Sequence, residues 1–79
     1  MDYKPHGVCS QLIHIEVDDE KRIHNVAFTK GCSGNLQGIA RLVEGMTVDE
    51  AISRLDGIRC GMKSTSCPDQ LAQALKTLR

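Results

Sequence analysis

The residues in this sequence best suited to do chemistry are its four cysteines: Cys9, Cys32, Cys60 and Cys67. A glycine precedes Cys32, a glycine follows Cys60 and a proline follows Cys67. At such breaks the backbone can approach an ion and the thiols can turn inward. Because a structural Zn²⁺ site takes four ligands and Cys₄ is a common set, we expect the four thiolates to converge on one metal ion.

Cys67 lies at the expected start of the last helix. Pro68 suits a first helical position, where its missing N–H would have had no partner. Asp69 and Gln70 follow in the first turn, where side-chain oxygens can meet unpaired N–H groups and the positive end of the helix dipole. A helix N-terminus favours thiolate over thiol, and a thiolate is the form that binds metals or attacks electrophiles.

Two other interpretations of the cysteines stay open. In the first, the protein is a thiol–disulfide redox protein that cycles a disulfide such as Cys60–Cys67, with Cys67 as the attacking thiol. In the second, the cysteines only pack as small buried side chains and the chain is an interaction domain. With no signal peptide or membrane span in the sequence we expect a reducing cytoplasm, which disfavours permanent disulfides.

The remaining candidates for chemistry are weaker. His14 and His24 fall in the middle of predicted strands and are interpreted as surface or cross-strand residues, which leaves His6 as a spare metal ligand. Residues 31–35 resemble a phosphate cradle before a helix, but they lack the GxxxxGK[ST] pattern. We therefore predict no catalytic or cofactor-binding residue, and no complete active site is visible.

Length and composition limit the function classes. At 79 residues with one Tyr and one Phe, the chain can build only a thin aliphatic core, and such a chain gains from a metal or another staple. Ten basic and ten acidic residues are interspersed and cancel in net charge. With no basic run and no long apolar stretch, we expect neither a nucleic acid nor a membrane as partner. The oligomeric state is not indicated.

The first half of the chain predicts a β-hairpin. Residues 8–17 alternate between apolar and polar side chains, and a second strand is expected from about Arg22 to Lys30. A four-residue loop over 19–22 sets the register. The expected opposite pairs are Ile13 with Phe28, Ile15 with Val26, and Cys9 with Cys32.

The second half predicts three helices with apolar residues spaced at i, i+3, i+4 and i+7. The first begins near Leu36 and ends before Gly45. The second follows Thr47 as N-cap, with Glu50 completing a capping box, and ends at Gly57. The third runs from Pro68 to near Leu78.

We therefore predict an α+β fold, in which three helices pack on one face of a small antiparallel hairpin. Residues 1–7 are expected to form a loosely held N-terminal arm, and residues 8–79 a single metal-binding domain.

The segment Thr65-Ser66-Cys67-Pro68-Asp69 resembles the signature of the TSCPD domain family. Gly31-Cys32-Ser33-Gly34-Asn35 and Cys60-Gly61 also resemble that family's pattern, and the resemblance covers nearly all of 8–78. The family includes small stand-alone proteins and a C-terminal domain of adenosylcobalamin-dependent ribonucleotide reductases. The resemblance implies four metal-binding cysteines and a ribonucleotide reductase as partner. The chain is too short to hold the reductase's catalytic barrel.

A more distant resemblance is to the NifU/IscU-type iron–sulphur scaffold. It rests on a cysteine before a hairpin, a glycine–cysteine break before a helix, the segment Gly45-Met46-Thr47-Val48-Asp49-Glu50-Ala51, and a cysteine that starts the last helix. This resemblance implies Cys9, Cys32 and Cys67 as ligands, an iron–sulphur cluster as the alternative to zinc, and an iron–sulphur assembly protein as partner.

The chain departs from the scaffold pattern in three places. Gln11 stands where the scaffold has an aspartate, Ser66 stands where it usually has a histidine, and Cys60 is an additional cysteine. A fourth thiolate in place of a labile oxygen ligand should hold a metal more firmly. The departures therefore favour storage or a structural role over cluster transfer.

Overall fold

The computed structural model describes residues 1–5, 7, 12–29, 33–59 and 61–79. Its elements, in chain order, are β1 (Asp2–Tyr3), β2 (Leu12–Val17), β3 (Ile23–Thr29), α1 (Ser33–Val43), α2 (Val48–Leu55) and α3 (Cys67–Lys76). The three strands form one antiparallel sheet in the order β1-β2-β3. The predicted α+β arrangement, a small antiparallel sheet followed by three helices, is confirmed.

The register between β2 and β3 agrees with the prediction at the open end of the hairpin, away from its loop. Ile13 lies opposite Phe28, as expected, and Leu12 lies opposite Thr29. The predicted opposition of Cys9 and Cys32 falls outside the described residues.

Nearer the turn the register is shifted by one residue. Val17 pairs with Ile23, so the hairpin loop covers residues 18–22 and is one residue longer than predicted. The shift occurs between His14 and Glu16, where the predicted pair of Ile15 and Val26 falls. Asn25 adopts a positive φ of 53° at this irregularity, which is typical of an extra residue in one strand.

The short first strand was not expected from the sequence, which predicts a loose arm over residues 1–7. Asp2 pairs with His14 and Tyr3 pairs with Ile13. Met1 extends this pairing, because its amine donates to the Ile15 carbonyl and its carbonyl accepts from the Ile15 N–H, both at 2.8 Å. A strand of two residues is too short to show any periodicity, so only the neighbouring strand reveals it.

Local chemistry fixes the helix ends in the second half of the chain. Thr47 caps α2 as predicted, and its Oγ1 accepts from the Glu50 N–H at 3.2 Å. The Glu50 carboxylate binds Arg54 instead of reaching back to Thr47, so only half of the predicted capping box forms. Gly45, with φ of +83°, follows α1, and Gly57, with φ of +86°, follows α2.

The core lies between one face of the sheet and the three helices. Ile13, Ile15 and Ile23 from the sheet are fully buried, as are Leu71 and Leu75 from α3. The other buried members of the cluster are Val26, Val43, Val48, Ala51, Ile52 and Ala74. The polar side chains of β2 and β3 lie on the opposite, outer face.

None of the helices in the described part of the chain is both long and apolar enough to cross a membrane.

Candidate functional site

Cys67 is the first residue of α3, as the sequence predicts. Ser66 caps this helix in an extended conformation, and its Oγ accepts from the Asp69 N–H at 3.2 Å. The same hydroxyl donates to the Ile58 carbonyl at 2.6 Å, which ties the start of α3 to the segment that follows α2. The half-buried Cys67 side chain therefore lies where two segments of the chain are held together.

A cavity of about 540 Å³ opens beside Cys67. One wall is the exposed side of α1, and the other is formed by residues 58–59 and 66–68. The lining is mainly apolar and includes Leu36, Ile39, Leu42, Ile58 and Pro68. The start of α1 and the start of α3 thus border one cavity.

Two further cavity-lining residues adjoin cysteines in the sequence. Gly34 follows Cys32 by two residues, and Arg59 directly precedes Cys60. With Cys67 itself, the cavity is therefore bordered by one of the four cysteines and by close sequence neighbours of two others.

Gly7, just before Cys9 in the sequence, lies against Thr65, which begins the segment 65–69, here called the signature loop. Gly7, two residues before Cys9, has φ of +72°, and a Cβ built on it would lie 3.2 Å from Cγ2 of Thr65. Thr65 in turn precedes Cys67 by two residues. A side chain at Gly7 would both strain the backbone and crowd Thr65.

Cys9, Cys32, Cys60 and His6 lie outside the described residues, so the structure does not test the predicted four-cysteine set. Within the part of the chain that is described, no group of three or more His, Cys, Asp or Glu side chains is close enough to hold a metal ion. The convergence of the four sulphur atoms stays a prediction.

Asp69, predicted only as a first-turn residue, is the centre of a buried polar network. It is 7% exposed, and its carboxylate accepts from the Gly57 N–H at 2.7 Å, from Gln73 Nε2 at 3.2 Å and from the Thr65 hydroxyl. Thr65 Oγ1 also accepts from Gln70 Nε2 at 2.9 Å. The carboxylate therefore ties the signature loop to the end of α2.

Burial opposes ionisation of Asp69, but the hydrogen bonds from Thr65, Gly57 and Gln73 outweigh it and hold the pKa of this carboxyl below its ordinary value. Sequence reasoning missed this role because Gly57 is a distant partner. The signal available in the sequence was an acidic residue directly after Pro68.

The two described histidines lie on the outer face of the sheet, away from the cavity. His14 contacts Asp2 at 2.7 Å through Nδ1 and Glu16 at 3.0 Å through Nε2. His24 contacts Asp18 through Nε2 and Glu44 through Nδ1, both at 2.8 Å.

The carboxylates raise the pKa of both imidazoles. Hydrogen bonds to Asp2 and then Glu16 raise the pKa of His14, and those to Asp18 and then Glu44 raise the pKa of His24.

These elements define a small α+β domain in which three helices back a three-stranded antiparallel sheet. Cys67 begins the last helix and lies beside a cavity. The TSCPD domain family model matches residues 1–79, and the chain belongs to that family. Comparison with curated proteins and with solved structures gives no match. The similarity to the NifU/IscU scaffold is not shown and stays a prediction.

Proposed function

We propose that this protein is a small accessory domain that binds one metal ion, zinc, through Cys9, Cys32, Cys60 and Cys67. The observation that supports this most is the clustering of sequence neighbours. Gly34, Arg59 and Cys67 border one cavity, and Gly7 lies against Thr65 beside it.

Chain connectivity limits how far each remaining cysteine can lie from this region. Two residues of extended chain span at most about 7 Å. Cys9 follows Gly7 by two residues, Cys32 precedes Gly34 by two, and Cys60 is bonded to Arg59. The proposal therefore requires each of these cysteines to reach the metal over no more than two residues of chain from Gly7, Gly34 or Arg59.

The donor set suits zinc. Four thiolates are a common ligand set for structural Zn²⁺. When bound, zinc would cross-link four chain segments. Structural zinc contributes on the order of 10 kcal/mol of apparent binding free energy in small domains. For a thin core this is comparable to the whole stability of a domain.

The proposed partner is a ribonucleotide reductase, and the proposed compartment is the cytoplasm. Family membership supports the first, since the TSCPD domain also occurs at the C-terminus of reductases. Use of cysteine as thiolate supports the second, because thiols persist in a reducing compartment. The domain itself would contribute metal binding and docking.

The second candidate function is thiol–disulfide exchange in service of a reductase. It is favoured by the position of Cys67, which starts a helix and is only half-buried. An attacking thiol needs such a position together with a resolving cysteine, and Cys60 precedes it by seven residues. An iron–sulphur cluster on the same cysteines is the third.

Metal analysis combined with thiol titration separates these functions, on protein purified without a histidine tag. The metal-binding proposal expects one equivalent of zinc and no reactive thiol until a chelator is added. A disulfide released only by reductant supports the redox protein, and equimolar iron and sulphide supports the cluster. Four reactive thiols without metal overturn all three.

Four single Cys→Ser variants then test the ligand set, with Met62→Ser as the matched control. Met62 is fully exposed and lies two residues from Cys60, so its replacement alters the loop without removing a thiol. Each cysteine variant is expected to lose metal together with cooperative unfolding, and Met62→Ser is expected to keep both. If a cysteine variant retains a full equivalent of zinc, the replaced cysteine is not a metal ligand.

A further inference from the structure

The His14 imidazole, on β2, contacts one carboxylate through each of its nitrogens, and the contact with Asp2 joins β2 to β1. Nδ1 lies 2.7 Å from the Asp2 carboxylate on β1, and Nε2 lies 3.0 Å from the Glu16 carboxylate on β2. An ionised carboxylate has no hydrogen to donate and can only accept hydrogen bonds. Both contacts therefore require the ring to donate twice.

Only the protonated ring can do this. A neutral imidazole carries one N–H, so one of the two carboxylates would face a lone pair. Loss of the proton leaves one N–H for two carboxylates, so the contact with Asp2 loses the positive charge of the ring and competes with Glu16 for the remaining N–H. The geometry therefore links the contact between β1 and β2 to the protonation of His14.

The charged groups around His14 come from three sources. β1 contributes Asp2, and β2 contributes Glu16, which also bonds to Asn25. The Met1 amine lies near enough to oppose protonation. On β3, the residue opposite His14 is Ala27, and the helices pack on the other face of the sheet.

The strand joined by this contact is short but is also held in other ways. Asp2 and Tyr3 are its whole length, Met1 adds two backbone hydrogen bonds to Ile15, and Tyr3 packs against the core. A strand so short gains little from its own ladder, so a side-chain contact is expected to change its local opening measurably.

We propose that the protonated His14 side chain latches β1 onto the sheet, and that loss of this proton releases the strand. The latch acts on the segment that leads from β1 through Gly7 toward the signature loop. It does not depend on a bound metal.

The His24 bridge provides an internal control. His24 contacts Asp18 and Glu44 with the same geometry, yet the strand beside it is also fixed by backbone hydrogen bonds. The Ile23 N–H donates to the Met46 carbonyl, and the Gly45 N–H donates to the Ile23 carbonyl, both at 2.8 Å. Release of His24 should therefore leave its strand in place.

Amide hydrogen exchange tests the latch on the full chain beginning at Met1. The Ile15 N–H donates to the Met1 carbonyl at 2.8 Å and so reports attachment of β1, whereas the Ile23 N–H reports the rest of the sheet. Protection factors corrected for intrinsic exchange are measured from about pH 6 to about pH 8.5, across the range in which histidine titrates. In the wild type, protection of Ile15 is expected to fall several-fold with rising pH while that of Ile23 stays constant.

Three variants assign the effect. His14→Gln offers one donor and one acceptor at every pH, so its Ile15 protection should be low and nearly constant. His14→Arg stays charged and should keep β1 attached at the upper end of the range. His24→Gln should behave like the wild type at Ile15.

Two results would overturn the latch. One is a wild-type Ile15 protection that does not change with pH. The other is a His14→Gln profile that falls as steeply as the wild type, which would assign the change to the Met1 amine.

Discussion

Two clusters of carboxylate hydrogen bonds, one buried and one exposed, hold distant parts of this chain together. The Asp69 carboxylate accepts hydrogen bonds from Gly57, Thr65 and Gln73, which tie the signature loop to the end of α2. Asp69 is 7% exposed. The His14 and His24 bridges lie on the outer face of the sheet, with side chains 42% and 41% exposed. Similar contacts should therefore differ in value, because water competes for the exposed ones and screens their charges.

Replacing Asp69 by alanine is expected to have the largest effect on stability. The substitution removes a buried carboxylate and leaves the Gly57 N–H and the partly buried Thr65 hydroxyl without their acceptor. We expect the free energy of unfolding to fall by about 2–4 kcal/mol, measured by urea denaturation.

Glu50→Ala is the matched control for Asp69→Ala. Each residue is the third of its helix, but Glu50 is exposed and bonds to Arg54 at the surface. The control should cost well under half as much. If the two variants lose equal stability, burial is not what distinguishes the clusters.

Removing the Ser66 hydroxyl is expected to rank next. Ser66 accepts from the Asp69 N–H and donates to the Ile58 carbonyl, whereas Thr47 only caps its own helix. We expect Ser66→Ala to cost about 1–2 kcal/mol and Thr47→Ala about 1 kcal/mol, measured by the same urea titration. A larger loss for Thr47→Ala would show that the link to Ile58 contributes nothing.

Asp69 acts on the acid side of the pH profile of stability, whereas the histidine bridges act on both sides. Asp69 has a lowered pKa in the folded state, so its contribution is present above the ordinary carboxyl value of 3.8 and is lost as pH falls through the folded value. The bridge carboxylates Glu16, Asp18 and Glu44 also have lowered pKa values, so their contribution is lost on the acid side too. The imidazoles of both bridges have raised pKa values, so their contribution is complete below 6.5 and is lost as pH rises through the folded values. Stability should be greatest between about pH 4.5 and about pH 6.5.

Thermal melts across this range, at constant metal content, test the assignment. Asp69→Asn should flatten the acid side only. The double variant His14→Gln, His24→Gln should flatten the neutral side and weaken part of the acid side, because the imidazoles help to lower the pKa of Glu16, Asp18 and Glu44. A double variant that retains the decline above about pH 6.5 would assign that decline to other groups, such as the cysteine thiols or the Met1 amine.

The parts of the fold that the sequence predicted are those fixed by neighbouring residues. Thr47 caps α2 because its own side chain reaches the next turn, and Cys67 starts α3 because Ser66 and Pro68 flank it. The assumed four-residue loop predicted the opposition of Ile13 and Phe28, which holds because the extra residue near Asn25 offsets the longer loop, and alternation predicted β2 itself. The two helix starts and β2 each depend on fewer than about ten residues or on one simple period.

The features that the sequence did not predict depend on residues far apart in the chain. The Asp69 carboxylate reaches Gly57, twelve residues away, and β1 exists only because Ile13 and His14 offer it an edge. The irregularity at Asn25 follows from the longer hairpin loop. The proposed four-cysteine site would be of the same long-range kind. The sequence could propose its members, and of these only Cys67 is among the described residues.

The smallest expected effect is that of the surface ion pair between Arg54 and Glu50. Arg54 donates to one oxygen of the Glu50 carboxylate from Nε at 3.1 Å and from Nη2 at 2.9 Å. The side chain of Arg54 is nevertheless 64% exposed and that of Glu50 is 49% exposed. We expect Arg54→Ala to lower the free energy of unfolding by about 0.3–0.5 kcal/mol at low salt. The difference from the wild type should vanish near 1 M salt, where the screening length is about 3 Å. If Arg54→Ala instead costs as much as Ser66→Ala and keeps that cost at high salt, contact geometry rather than burial sets the value of polar contacts in this domain.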